Sequence, residues 1–247
     1  SSGKQEGKTQ PISGAVSLPG GFNIGSPFEK GEKVQITAGY SPSGGSSYHK
    51  RTNDSSYAND YYALDMILPD YGDHGKGEPV VAIAGGTVRK AGAATQGWST
   101  YGLRVYIEHD YDADGHTYIS LYAHMNSLAV SPGDHVDKGE KIGTLGGSCY
   151  KNGGVVKGCW GSHIHFALHR DSNIGGSGTG GSYGGNAVVP EPMDGVTGLH
   201  SGTTFTSKNG GGTSCACSSS GKTETKSCGD SGERTRSCDG CNGPDCS

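Results

Sequence analysis

The chain has 247 residues, 46 of them glycine, and a formal net charge of −4 at neutral pH. That length holds one sizeable domain and a small appendage. The mild acidity excludes the electrostatic footprint of a nucleic-acid binder or of a protein drawn to an acidic membrane surface, and no apolar run is long enough to span a bilayer.

No window carries the i, i+3, i+4 apolar pattern of a helix. Short alternating runs between Gly, Pro, Asn and Asp recur instead, so the expected class is all-β. The chain begins with Ser1 rather than Met and is read as a processed form whose export signal has been removed, which places it outside the cell, with no membrane span. Its eight cysteines fit an oxidising compartment. Cys149 and Cys159 stand close together in the main body, and Cys215, Cys217, Cys228, Cys238, Cys241 and Cys246 crowd the end of the chain. The expectation is a Cys149–Cys159 disulfide with the six tail cysteines paired among themselves. A zinc ribbon on Cys238 and Cys241 is disfavoured because no second C-x-x-C accompanies it.

In chain order, residues 1–21 are polar and punctuated by Gly and Pro, the pattern of a loosely held N-terminal arm. The main domain is expected over 22–199. It opens with an alternating strand over 34–40, followed by a Ser/Gly loop carrying Tyr48 and His49. The next strand, 61–68, is apolar apart from Asp65, a carboxylate that must be paired, hydrogen-bonded or metal-bound to offset its desolvation. Residues 80–84 and 87–90 read as strand, turn, strand. Two more strands, 103–109 and 116–124, are joined by 110–115, whose aspartates imitate the start of an EF-hand loop. Position 12 of that pattern is Leu121 and no helices flank it, so an acidic hairpin loop is the better reading. Short strands with turns at Pro132-Gly133 and Lys138-Gly139 fit 130–143.

The stretch Gly161-Ser162-His163-Ile164-His165-Phe166 is the most informative. On a strand, residues i and i+2 share a face. His163 and His165 would point one way, and Ile164 and Phe166 towards a core. An H-x-H on a strand is half of a metal site, because neutral imidazole is a common zinc ligand. A glycine-rich loop over 175–185 and a closing segment over 187–193 complete the domain. Residues 200–213 read as a Gly/Ser/Thr linker, and 214–247 as a small Cys-rich module that must lean on its disulfides. The module has four basic and five acidic residues, so it is not a cationic wall-binding patch, and it resembles a thrombospondin type-1 repeat only faintly, lacking that family's tryptophans.

The succession YYALD, VVAIAGGTV, LYAHM, VSPGDHVDKGEKIGTLG, GSHIHFAL and VVPEPM resembles the lysostaphin-type, LytM-domain zinc endopeptidases, and within them the secreted β-lytic branch that includes LasA protease. The resemblance covers residues 28–193. It implies a duplicated hybrid motif, a barrel-sandwich-like antiparallel sheet core, and hydrolysis of peptide bonds in bacterial peptidoglycan, often at glycine-containing bridges. Carried over position by position, it implies zinc ligands at His49, Asp65 and His165, one Zn²⁺ per chain, and catalytic histidines at His124 and His163. The chain departs from the tight H-x-x-x-D of many members, because a long Ser/Asn/Asp-rich insertion separates His49 from Asp65.

Two histidines and one aspartate leave a fourth coordination position for water, and histidine suits acid and base work near neutrality. The remaining histidines, His74, His109, His116, His135, His169 and His200, are expected on the surface or in loops. Tyr48, Tyr61 and Tyr101 are candidates to stabilise an oxyanion. The alternative is a catalytically silent LytM-type protein acting as a wall-binding or adhesion module. A monomer is expected, with peptidoglycan peptides as its partners.

Overall fold

This computed structural model describes residues 15–40, 49, 60–94, 99–172, 174 and 185–210, together with the backbone of one hairpin in the tail. The strands are β1 (Val16–Ser17), β2 (Lys33–Ala38), β3 (Leu64–Ile67), β4 (Pro79–Val81), β5 (Gly86–Ala93), β6 (Leu103–His109), β7 (Tyr118–Met125), β8 (Ser127–Leu128), β9 (His135–Val136), β10 (Lys141–Thr144), β11 (Cys149–Lys151), β12 (Gly154–Val156), β13 (Ile164–Arg170), β14 (Asn186–Val189) and β15 (Thr204–Thr206). Among the described residues the only helical elements are two short 3₁₀ turns, so the all-β expectation holds. None is long and apolar enough to cross a membrane.

The main sheet runs β15-β2-β3-β13-β7-β6-β5-β9, with β14 also on β13 and β1 on β14. Apart from the parallel β1–β14 pair, its pairings are antiparallel. A second sheet, β4-β10-β8, carries the strand expected over 80–84. β4 and β5 follow one another across a short connection, yet they pair in different sheets, β4 with β10 and β5 with β6 and β9. The chain changes sheets over residues 82–85, where it bends at Ile83 and Ala84. A side chain on Gly86 would lie 2.3 Å from the Glu108 carbonyl oxygen.

Both faces of the sheet's centre are covered. Tyr122, Ile164, Phe166, Leu64 and Met66 point into the larger apolar cluster. Ala63, Tyr106, Ile119, Leu121, Ala123 and Ala167 form a smaller one on the opposite face. Two-sided burial explains why Tyr118–Met125 (YISLYAHM) shows no polar–apolar alternation. Ile164, Phe166 and Leu168 hold the H-x-H strand in place, each contributing roughly 1.5–3 kcal/mol by burial.

Both ends of the body reach further than composition suggested. Within the arm expected over 1–21, Val16 and Ser17 pair with Val188 and Val189, and Leu18 is buried in the core. Within the linker expected over 200–213, β15 pairs with β2 and Asn209 is fully buried. The Asn209 Nδ2 donates to the carbonyls of Ser26 (2.6 Å) and Ala82 (3.0 Å). A chain ending at Gly210 is therefore expected to keep the stability of the body. One ending at His200 leaves the buried Ser26 carbonyl without a donor, at about 1–3 kcal/mol, and the Ala82 carbonyl with the Gly139 N–H alone. Urea denaturation of the two truncations checks this; equal midpoints would contradict it.

The tail's described backbone is an antiparallel hairpin of β16 (Thr223–Ser227) and β17 (Glu233–Ser237). Its six cysteines, Tyr48 and the glycine stretch 175–184 lie outside the described residues. Cys149 and Cys159 form the expected disulfide, closing the β11–β12 hairpin.

Two histidines expected at the surface are buried in the sheet, His109 on β6 and His169 on β13. His109 bonds the Gly85 carbonyl (3.2 Å) and the Ser120 hydroxyl (2.8 Å). Its burial pushes it from 6.5 down to about 4. Between those values the unfolded chain takes up a proton that the folded chain refuses. The contribution is complete above pH 6.5 and is lost as the pH falls towards 4, on the order of 3 kcal/mol. Urea denaturation between pH 7 and 4 should show a flatter pH dependence for His109→Gln than for the parent; identical slopes would rule this out.

Candidate metal centre

Three adjacent strands build the site. β13 lies between β3 and β7, and in register His165 stands opposite Asp65 on one side and Ala123 on the other. Directly opposed residues of an antiparallel pair share a face, so Asp65 and His165 meet. His163, two residues earlier, lies just before β13 and is bridged to Gly146. His49 arrives from the loop between β2 and β3.

The donor atoms of His49, Asp65 and His165 all lie within 4.8 Å of one another. Asp65 Oδ1 is 3.2 Å from His49 Nε2 and 3.0 Å from His165 Nδ1. A tetrahedral ion with bonds of about 2.0–2.1 Å to nitrogen and oxygen sets its donors about 3.3 Å apart, so both separations fit such an ion. The donor set of two imidazoles and one carboxylate also suits a borderline-soft cation. Burial alone would raise the Asp65 carboxyl, but the hydrogen bonds and charges of His165 and His49 outweigh it and hold the group well below the usual carboxylate range. Burial alone would lower His165; Asp60 and Asp65 overcome it and raise this imidazole. The centre is thus held together by opposite charges that a bound cation would reorganise.

His124 and His163 stand beside this cluster, their ring centroids 4.7 Å apart. His163 Nε2 is 3.9 Å from Asp65 Oδ1. In a regular strand His124 would point with Tyr122 into the large core, away from His165. It does not, because β7 is bulged there. Leu103 pairs with Met125 and Val105 with Tyr122, so Ala123 and His124 together oppose the single residue Arg104. His124 adopts φ +63°. A bulge re-aims a side chain in this way, and a non-glycine residue at positive φ needs surroundings that enforce it.

Ser148 supplies that enforcement. Its N–H donates to the His124 carbonyl (3.2 Å). Its hydroxyl donates to the Met125 carbonyl (2.6 Å) and accepts from the Leu103 N–H (3.0 Å). Its own carbonyl accepts from His124 Nδ1 (3.0 Å). Gly102 makes room for it, since a side chain there would lie 2.3 Å from the Ser148 carbonyl oxygen. The disulfide that begins at the next residue, Cys149, anchors this segment.

A carbonyl only accepts, so His124 Nδ1 carries the hydrogen and Nε2 keeps a lone pair. His163 is arranged alike, with Nδ1 donating to the Gly161 carbonyl at 2.7 Å. Burial, followed by the neighbouring imidazoles, lowers His124 to about 3. Burial also lowers His163, against the pull of Asp65. Both rings are neutral at pH 7 and able to take a proton. Trp160, about half exposed, sets its ring 6.1 Å from His124 and forms an apolar rim.

Asp60 was not singled out by the sequence, though it sits just before the apolar run that carries Asp65. It is buried, accepts a hydrogen bond from the Tyr101 hydroxyl and faces His165 Nε2 at 3.5 Å. Tyr101 thus spends its hydroxyl on Asp60 and stacks its ring on His165, centroids 5.3 Å apart. Tyr61 packs edge-on against Tyr62. In the 110–115 loop, Asp114 accepts from the His116 N–H and the Tyr118 hydroxyl, closing the hairpin.

The family model for Peptidase family M23 matches residues 72–189. That span carries His124, His163 and His165; His49, Asp60 and Asp65 precede it and are brought to the site by the fold. The chain is 40% identical over 70 residues to the lipoprotein NlpD/LppB homologue of Pseudomonas aeruginosa, covering 28% of this chain and 21% of that one. It is 38% identical over 71 residues to the murein hydrolase activator NlpD of Escherichia coli, covering 29% and 17%. The chain therefore spans about a fifth of the length of these curated relatives. Among solved structures, the catalytic domain of lysostaphin from Staphylococcus simulans is 23% identical, with 65% of this chain and 90% of that one covered and a TM-score of 0.38. The M23 metalloprotease pseudoalterin from the deep sea is 16% identical, with 76% and 96% covered and a TM-score of 0.41. Residues 72–189, just under half of the chain, carry the match to peptidase family M23.

Proposed function

We propose that the protein is a secreted zinc endopeptidase that hydrolyses peptide bonds of bacterial peptidoglycan, with glycine-containing cross-bridges as the favoured substrate. The observation that carries this reading is the juxtaposition of a three-donor cluster, His49, Asp65 and His165, with two neutral imidazoles whose Nδ1 atoms are tied to carbonyls.

In this reading His49, Asp65 and His165 hold one zinc ion. Bound there, zinc polarises the scissile carbonyl and lowers the pKa of the attacking water. The chain's own residues handle the protons. The Nε2 lone pairs of His124 and His163 are the two bases available. One accepts a proton as the water oxygen bonds the carbonyl carbon, and an imidazole returns a proton to the amine nitrogen as the C–N bond breaks. Ser148 and the Gly161 carbonyl keep both rings in the tautomer this requires. Residues 214–247 are a separable Cys-rich module that binds or positions the protein on its substrate.

The relatives named as murein hydrolase activators favour a second reading, a wall-associated activator with no cleavage of its own. Digestion of purified peptidoglycans of different cross-bridge type by this protein alone, with mass spectrometry of the new termini, separates the two. New amino termini at one bond type support the peptidase. Intact peptidoglycan in every case, with stimulation of an added murein hydrolase, supports the activator.

A further inference from the structure

The reach of Asp60 towards the far edge of His165 has a chemical consequence. Imidazole offers two nitrogens, and a metal takes whichever one the other's hydrogen bond leaves free. His165 Nδ1 faces Asp65 and His49 across the donor cluster. Its Nε2 is fully buried, and among the described residues no polar atom stands within ordinary hydrogen-bond geometry of it. The carboxylate oxygen Asp60 Oδ2 faces it at 3.5 Å, an ion-pair separation that a small shift of either side chain closes to a hydrogen bond. That same oxygen accepts the Tyr101 hydroxyl, so Asp60 is itself oriented. Tyr101 also lies against one face of the His165 ring, 27° from parallel.

We propose that Asp60 is a positioning residue of the metal centre: it accepts the Nε2–H of His165, oriented by the Tyr101 hydroxyl, and thereby commits Nδ1 of His165 to the metal. The inference rests on the reading of His49, Asp65 and His165 as a metal site. It extends that site from three residues to five and gives Tyr101 a role through Asp60 rather than at a reacting oxygen. A carboxylate behind a ligating imidazole fixes the ring's tautomer and orientation and raises its basicity, and its loss typically weakens metal binding about 10–100-fold. Alanine at position 60 would leave the Nε2–H buried without an acceptor, a state relieved by turning the ring over and presenting the wrong nitrogen.

The test reads metal binding, not turnover. Zinc affinity is measured on the full chain by competition with a chromophoric chelator, for the parent, Asp60→Ala and Asp60→Asn. The expected result is a loss of about 10–100-fold in Asp60→Ala and a smaller loss in Asp60→Asn, whose amide oxygen still accepts. In parallel, protein labelled with ¹⁵N-histidine is loaded with ¹¹³Cd. Coupling to His165 should run through Nδ1 in the parent, and Nε2 coupling should appear in Asp60→Ala. A merely structural role for Asp60 would not change which nitrogen couples. Unchanged zinc affinity in both variants, or cadmium coupled to His165 Nε2 in the parent, overturns the proposal. If Asp60→Ala does not fold, the Asp60→Asn affinity and the parent's coupling pattern decide it. A parent chain that takes up neither zinc nor cadmium overturns the metal-site reading and this proposal with it; a parent that binds zinc while Asp60→Asn and Asp60→Ala bind equally well overturns this proposal alone.

Discussion

Replacing His165 or Asp65 by alanine is expected to empty the chain of zinc and abolish peptide cleavage together. Each supplies one of the three donors, and Asp65 Oδ1 is the atom that both other donors approach, at 3.2 and 3.0 Å. Two remaining ligands cannot define the closed side of a tetrahedral site. The measurement is zinc per chain by elemental analysis, beside cleavage of a soluble glycyl peptide. The same donors predict a direction with pH. A ligand must shed its proton before it binds a metal, and Asp60 and Asp65 raise His165 in the metal-free chain. Zinc affinity should therefore fall as the pH is lowered. A His165→Ala protein that retains both metal and activity would remove His165 from the site.

Replacing His124 or His163 by alanine is expected to leave zinc near one per chain while cleavage falls about 10²–10⁴-fold, the usual cost of a positioned acid or base. His163 is the sharper case, since it sits two residues from His165 and its Nε2 stands 3.9 Å from the shared carboxylate oxygen. Spacing alone makes it as good a ligand as His165. Its Nδ1, however, is taken by the Gly161 carbonyl at 2.7 Å. The pH profile carries a further sign. Burial lowers both imidazoles, His124 to about 3, so the acid limb of activity should lie below the ordinary histidine value and not at it. Loss of zinc in His163→Ala would make His163 a ligand and reverse the roles within the H-x-H.

Much of this was legible from residues alone, because it depends on local spacing. The period of two in His163-Ile164-His165-Phe166 put two imidazoles on one face and Ile164 and Phe166 in the core, where both are fully buried. A carboxylate inside the apolar run of Asp65 announced a partner, and the absence of any helical period announced an all-β chain. The closeness of Cys149 and Cys159 in the main body announced the disulfide that the two form.

What the sequence could not carry depends on which strands become neighbours. Asp65 and His165 are a hundred residues apart, and only the antiparallel register of β3 on β13 sets them opposite one another. His124 would face the wrong side of β7 in any regular strand. The bulge that turns it is set by pairing with β6 and by the bonds of Ser148, a residue with no motif around it. Asp60 precedes the strand expected over 61–68 and has no motif around it; only Tyr101 and His165 closing on it mark it. His109 and His169 read as surface histidines because polar side chains usually are; a sheet covered on both faces buried them. β15 and Asn209 read as linker because their composition is that of one, and it is the carbonyls of Ser26 and Ala82, far earlier in the chain, that take the Asn209 side-chain amide. Alternation and motif spacing are properties of a few consecutive residues. Register, bulges and the partners of buried polar groups are set by contacts between distant segments, and those exist only once the sheet has closed.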